Sequence, residues 1–196
     1  SACATPKPMP LVEPVTNATL PFNDIRSTFF VATQHNTPDD RWHKRESTAI
    51  TRPMNDEILF DIRDGIGHIV LNRPHARNAL TFGMYRRLAD ICTDPAGAKA
   101  LILTGAGDKA FAAGTDIAQF RDFRSADDGV AYEQKLDEAL LAIERCPIPT
   151  IAAIAGACTG GGAGIAAACD LRIAAANARF GFPIARTLGN CLSISN

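Results

Sequence analysis

From Glu57 onward the chain alternates between two apolar periods. Ile58–Ile62 and Ile66–Leu71 read as short strands, and Asp64-Gly65 between them is a hairpin signal. Thr81 stands where an N-cap belongs, ahead of Met84, Leu88 and Ile91, the apolar face of a helix. Ala100–Thr104 is a compact buried strand. Leu136, Leu140 and Ile143 mark a second helix, which Cys146-Pro147 ends. Thr150–Ile154, a small-residue helix over Gly160–Cys169, and Leu171–Ala174 complete the pattern. Strands alternating with helices predict an α/β fold with βαβ crossovers and a mostly parallel sheet.

Residues 1–53 follow neither period. They carry seven of the 12 prolines, at 6, 8, 10, 14, 21, 38 and 53, and the single tryptophan, Trp42. Proline fixes φ and lacks a backbone donor, so runs such as ATPKPMPLVEP cannot sit inside a helix or sheet. The expected division is a poorly ordered or wrapped extension over 1–53 and a core over 54–196. Met54 itself reads as a possible natural start, with the preceding residues as upstream sequence.

Composition narrows the function classes. The 196 residues are 46% hydrophobic and 21% charged, with a formal net charge of −1. A generic electrostatic nucleic-acid binder needs a strongly basic face, and this balance does not supply one. Nor does it favour anionic membranes. The longest uncharged apolar stretch, Pro147 to Ala168, is broken by Thr150, Thr159 and a run of glycines, unlike a membrane span. No basic start followed by an apolar run marks a secretory signal. Six cysteines at 3, 92, 146, 158, 169 and 191 form no CxxC pair, and all four histidines precede residue 77. No zinc spacing results, and a reduced, cytoplasmic setting is the simpler reading.

Three glycine-rich sites carry candidate chemistry. Gly105-Ala-Gly107-Asp-Lys-Ala110 fits a dinucleotide fingerprint, yet Gly114 and Thr115-Asp116 interrupt the helix that motif requires, so a tight strand exit is favoured. Gly156–Gly161 lacks the lysine of a P-loop. The other two sites, Ala110–Ile117 and Gly156–Ile165, each join a buried strand to a helix through small residues. Such turns leave backbone N–H groups open at a helix start, and two of them on neighbouring strands can aim at one oxygen. A nucleophilic hydrolase finds no G-x-S-x-G here. Cys158, His68 and His75 read as a buried thiol and ordinary imidazoles.

Several motifs then stand in register: Leu71-Asn-Arg-Pro74 with Asn78-Ala-Leu80, Ala110-Phe-Ala-Ala-Gly-Thr-Asp-Ile117, and Pro149-Thr-Ile-Ala-Ala-Ile-Ala-Gly156. Gly160-Gly-Gly162, Cys169-Asp-Leu-Arg172 and Ala178-Arg-Phe-Gly-Phe-Pro183 follow. With them the chain resembles the crotonase superfamily, the enoyl-CoA hydratase/isomerase family, from about Ile58 to Pro183. The resemblance implies a ββα spiral core that binds acyl-CoA thioesters, with coenzyme A entering as part of the substrate and no separate cofactor. It implies a thioester oxygen held by the backbone N–H groups of Thr115 and Gly161, and paired donors of this kind stabilise an enolate. It also implies a CoA channel lined by His75, Ala76 and Arg77 and by the backbone from Ala113 through Thr115 and Asp116 to Ile117. Arg77 is a candidate for a CoA phosphate. Homotrimers or dimers of trimers, and a place in fatty acid metabolism as a lyase or isomerase, are further implications.

Departures from the family pattern matter equally. Its hydratases carry glutamates at the positions matching Gly164 and Ile184, and residues 146–169 and 171–196 contain no Asp or Glu. Asp170 falls at a position the family uses structurally, and Asp116 is only a weaker candidate base. Hydration therefore lacks an evident proton carrier. Enolate chemistry without a base, such as decarboxylation, stays open, as does non-catalytic acyl-CoA binding or subunit interaction. Arg186, Thr187, Asn190, Cys191 and Ser193 are polar groups beside the second vacated position. Since the sequence ends at Asn196, the family's C-terminal helical part is expected to be missing, which leaves apolar surface and makes catalytic competence doubtful.

Overall fold

The computed structural model describes residues 28–31 and 56–183. Nine strands and three α-helices follow in chain order: β1 (Thr28–Val31), β2 (Ile58–Arg63), β3 (Ile66–Leu71), α1 (Phe82–Thr93), β4 (Ala100–Gly105) and β5 (Ala110–Ala112). Next come α2 (Ala126–Glu144), β6 (Thr150–Ile154), β7 (Ala157–Thr159), α3 (Gly161–Ala168), β8 (Leu171–Ala174) and β9 (Arg179–Gly181). Short 3-10 helices cover Pro74–Ala76 and Ile117–Asp122.

Six strands form one sheet in the order β1-β8-β6-β4-β3-β2, parallel except for the β2–β3 hairpin. The hairpin turns at Asp64-Gly65, both with positive φ, as the Asp-Gly signal requires. A second, three-stranded parallel sheet runs β5-β7-β9. Each long strand β4, β6 and β8 is thus followed by a short one in the other sheet, and α2 and α3 then return the chain. This repeat of strand, strand and helix is the expected α/β spiral with a mostly parallel sheet.

Alternation along β3 and β6 buries one face of the large sheet. Ile69, Leu71, Leu101 and Leu103 join Tyr85 and Leu88 of α1, Ile143 of α2, Ile165 of α3 and Phe111 of β5 in one core. Each such aliphatic side chain contributes about 2 kcal/mol on burial. Thr81 caps α1 as expected, accepting from the Met84 amide at 3.2 Å. Asp170 ties β6 to the end of α3, accepting from both the amide and the hydroxyl of Thr150 at 2.8 and 2.9 Å. It is a structural carboxylate. Among the described residues no helix is long and apolar enough to cross a membrane.

Four strands carry no period that the sequence reading used. Strand β1 lies inside 1–53, the stretch read as a poorly ordered or wrapped extension, and pairs in parallel with β8 from Thr28↔Leu171 to Val31↔Ala174. Its four residues carry no period of their own, and the sheet edge supplies the hydrogen-bond partners. Strands β5, β7 and β9 were not foreseen, because three residues are too few to declare a period. The proposed boundary at Met54 lies outside the described residues.

Candidate active site

Three stretches meet where the small sheet joins the helices: Arg73–Leu80, Ala113–Ile117 and Gly160–Gly164. Their junction begins with Asn78. This residue is fully buried with φ 55°, and its side-chain amide spans three backbone groups. Its nitrogen donates to the carbonyls of Ala106 and Ala110 at 3.0 and 2.8 Å, while its oxygen accepts from the Arg73 amide at 3.0 Å. Asn tolerates the left-handed backbone better than most residues, and its amide replaces partners the turn cannot supply. Gly105 lies against this amide, which a Cβ there would approach to 2.7 Å. The start of this exit, at Gly105, is therefore closely packed against β5 and Asn78.

The next tie is backbone to backbone. Ala113 donates to the Arg77 carbonyl at 3.0 Å, Leu80 to Gly114 at 2.8 Å, and Asp116 to Leu80 at 2.9 Å. In this way His75, Ala76 and Arg77 are brought alongside Ala113, Thr115, Asp116 and Ile117, the two halves of the expected channel. His75 and Arg77 are exposed, as is Ile117 at 68%.

The bridge to Leu80 engages the neighbours of Thr115 and turns its own amide the other way. That amide, and the amide of Gly161 at the first turn of α3, meet no acceptor among the described residues. The two turns touch. A Cβ on Gly160 would stand 3.5 Å from the Gly114 Cα, and one on Gly114 would stand 3.9 Å from the Gly161 nitrogen. Gly114 and Gly160 both have positive φ, so glycine serves the backbone conformation and the close approach together.

Thr115 also carries a side chain that the sequence reading passed over. Its hydroxyl lies 2.8 Å from the Tyr85 hydroxyl and 2.8 Å from that of Tyr132. Burial raises both phenols above their ordinary pKa, as does the nearby charge of Glu133. They stay protonated at neutral pH. Phe82 and Phe120 pack on Tyr132, whose ring centroid is 4.8 Å from Phe120 in an edge-on contact, and Phe123 packs on both phenylalanines. Tyr85 and Tyr132 lie 47 positions apart on different helices, which is why spacing gave no warning of the cluster.

Asp116 is occupied elsewhere. Its carboxylate pairs with Arg73 at 2.9 Å and caps the following 3-10 helix through the Ala118 amide at 3.0 Å. Arg73, then that amide, hold it below the ordinary carboxylate pKa. Arg73 also contacts Glu57 at 3.1 Å. A carboxylate so engaged is a poor base, and Asp116 serves to fix the turn. The Cys158 thiol is fully buried and pushed up to about 12 by burial, so it is no nucleophile.

Gly164 lies one turn into α3, facing α2. A Cβ there would meet Leu140 at 3.6 and 3.7 Å, an ordinary contact, so the position has room for a side chain but offers none. Ile184, Arg186, Thr187, Asn190, Cys191 and Ser193 lie outside the described residues.

The sequence and the fold both find counterparts among known proteins. Residues 61–189 match the family profile described as enoyl-CoA hydratase/isomerase. The chain belongs to this family. It is 39% identical over 134 residues to a crotonyl-CoA hydratase of Syntrophomonas wolfei, covering 65% of this chain and 50% of that one. It is 40% identical over 134 residues to a hydroxycinnamoyl-CoA hydratase-lyase of Pseudomonas fluorescens, covering 63% and 47%. A crystal structure of an enoyl-CoA hydratase/carnithine racemase from Magnetospirillum magneticum superposes with a TM-score of 0.66 at 38% identity, over 72% of this chain and 54% of that one. This enoyl-CoA hydratase/isomerase family chain thus spans about half the length of the curated relatives it matches.

Proposed function

We propose that this protein binds an acyl-CoA thioester and stabilises its enolate between the amides of Thr115 and Gly161. The observation that carries this reading is the meeting of the two turns, with both amides open and pointing away from the bonds that hold their neighbours. Donors fixed before the reaction need no reorganisation as charge moves onto the thioester oxygen, and removing one typically costs about 3 kcal/mol of barrier. The channel residues His75, Ala76 and Arg77 would run along the CoA portion, with Arg77 exposed and able to meet a phosphate. Binding by isothermal calorimetry with a short acyl-CoA is the expected result, and NAD binding without any CoA thioester would overturn the reading.

Gly164 favours base-independent enolate chemistry, of which decarboxylation of a malonyl-type thioester is the model case, over hydration. Loss of carbon dioxide leaves its electron pair on the α-carbon and thioester oxygen, so no side chain need remove a proton. Hydration of a crotonyl-type CoA is expected to be far below an ordinary rate of about 10 per second. Replacing Gly164 and Ile184 together with glutamate is expected to raise it. Assembly into trimers, as the family resemblance implies, is part of the same proposal, and analytical ultracentrifugation reads it directly.

A further inference from the structure

Thr115 Oγ1 lies 2.8 Å from the hydroxyls of both Tyr85 and Tyr132, and the two phenols are within hydrogen-bonding reach of each other. Three hydroxyls in mutual contact close into a ring in which each donates once and accepts once. The ring satisfies its own members and draws them from three elements: α1, the turn after β5, and α2. It also stands against the second turn of the candidate site. A Cβ on Gly161 would overlap the Tyr85 hydroxyl and lie 3.2 Å from that of Thr115, so both oxygens press on the Gly161 backbone. The β5–β7 register runs only to Ala112 and Cys158, short of either open amide. Beyond it, among the described residues, no backbone hydrogen bond joins 113–117 to 160–164. There the relation of the two turns rests on packing, glycine against glycine at Gly114 and Gly160 and the ring's oxygens against Gly161.

We infer that Tyr85 and Tyr132 are positioning residues: acting through the Thr115 hydroxyl, they fix the direction of the Thr115 amide and its distance from the Gly161 amide. The inference rests on the acyl-CoA reading above. Two hydrogen bonds to Oγ1 hold the Thr115 side chain in one rotamer, and the amide hangs from the same Cα. Tyr85 is 1% exposed and Tyr132 is packed by Phe82 and Phe120, so both phenols are anchored where they meet the turn. A hydrogen bond weakens steeply as it bends, so two donors aimed at one oxygen depend on a fixed relation between them. In this role neither phenol touches substrate, and neither gives up its proton at neutral pH.

The test uses the full chain and a conjugated dienoyl-CoA, whose absorption moves to longer wavelength when its carbonyl oxygen is polarised. Tyr85→Phe deletes one oxygen and opens the ring. It is expected to cut the wavelength shift by about half and to weaken binding by at most about tenfold, the range of one neutral hydrogen bond. Thr115→Val keeps the amide and the side-chain shape but deletes the hydroxyl, and should cut the shift by a similar amount. Because both changes open the same ring, the double variant should also lose about half, where independent effects would add to nearly the whole. Ile91→Val is the control: it shortens a buried side chain of α1 outside the ring, and should lower the melting temperature while the shift stays full. Melting curves and far-ultraviolet circular dichroism show which variants fold, and Tyr132→Phe takes the place of Thr115→Val in the cycle if the latter does not. A full shift in folded Tyr85→Phe, or losses that add in the double variant, overturns this inference alone and leaves the ring as a brace between α1 and α2. Failure of the unsubstituted chain to bind the dienoyl-CoA, or to shift its absorption, overturns the acyl-CoA reading and this inference with it.

Discussion

Two strand exits in this molecule are built from glycines and small residues, yet they treat their backbone groups in opposite ways. At the end of β4, Gly105 closes against the carbonyls of β5, the Ala106 amide donates to Leu71 at 2.9 Å, and Asn78 takes the carbonyls of Ala106 and Ala110. These groups are all taken, while the turn beyond them, Gly107 to Lys109, is exposed. At the end of β7, Gly160 donates to Gly181 at 2.9 Å and Gly164 donates back to Gly160 at 3.0 Å, but Gly161 between them stays open. Glycine content alone does not separate a packed turn from a binding turn. What separates them is the group that a third element delivers: an amide side chain from Asn78 in one case, and hydroxyls that stop beside the turn in the other.

Breaking the packed exit should have the largest effect. Asn78→Ala orphans two carbonyls and one amide in a buried place, and asks alanine to adopt φ 55°. At about 1 kcal/mol for each lost partner and about 1 kcal/mol for the backbone, a loss near 4 kcal/mol is expected in urea denaturation. A loss below about 1 kcal/mol would mean the turn is not held by this side chain.

Gly161→Ala probes the open exit. Its methyl would overlap the hydroxyl of the buried Tyr85, which must shift within the core, so the expected cost is about 1–3 kcal/mol of stability. The larger consequence is for ligand: displacing Tyr85 and crowding the amide should abolish the wavelength shift of a bound dienoyl-CoA. Retention of the full shift would place the oxygen elsewhere.

Gly164→Ala runs the other way. The added methyl meets Leu140 at an ordinary distance inside a helix, where glycine is less favourable than alanine by about 0.8 kcal/mol. A stabilisation of roughly 0.5 kcal/mol is expected from thermal melting, and a destabilisation would mean the space beside α2 is filled in solution.

The smallest effect belongs to the turn next to the open amide of Thr115. Arg73 lowers the folded-state pKa of Asp116 from its usual 3.8, so the pair adds stability above that pH and loses it as pH falls through the folded value. Asp116→Asn should therefore cost no more than about 1 kcal/mol at pH 7, and the difference from the unsubstituted chain should shrink as pH falls below 3.8 and vanish below the folded-state value. A gap that persists in acid would assign Asp116 a role beyond its charge.

The apolar periods and the motifs of this chain carry most of the large sheet. Ile66–Leu71, Thr150–Ile154 and Leu171–Ala174 fall where the pattern put them, and Thr81 caps α1, because period and cap are local properties of a few consecutive residues. The pairing of Ala110–Ile117 with Gly156–Ile165 was legible as well, from glycine turns and the order of the family motifs. Three features were not. Strand β1 exists through its neighbour β8, and the short strands β5, β7 and β9 are too brief to show a period. The Tyr85–Thr115–Tyr132 cluster joins a helix, a turn and a second helix, each of whose polar residues looks unremarkable alone. The occupation of Asp116 by Arg73 spans 43 residues of sequence. A carboxylate or hydroxyl is named by the sequence, but its proton and its partner are fixed by whatever distant segment the packing brings against it, and that is decided only when the chain has closed on itself.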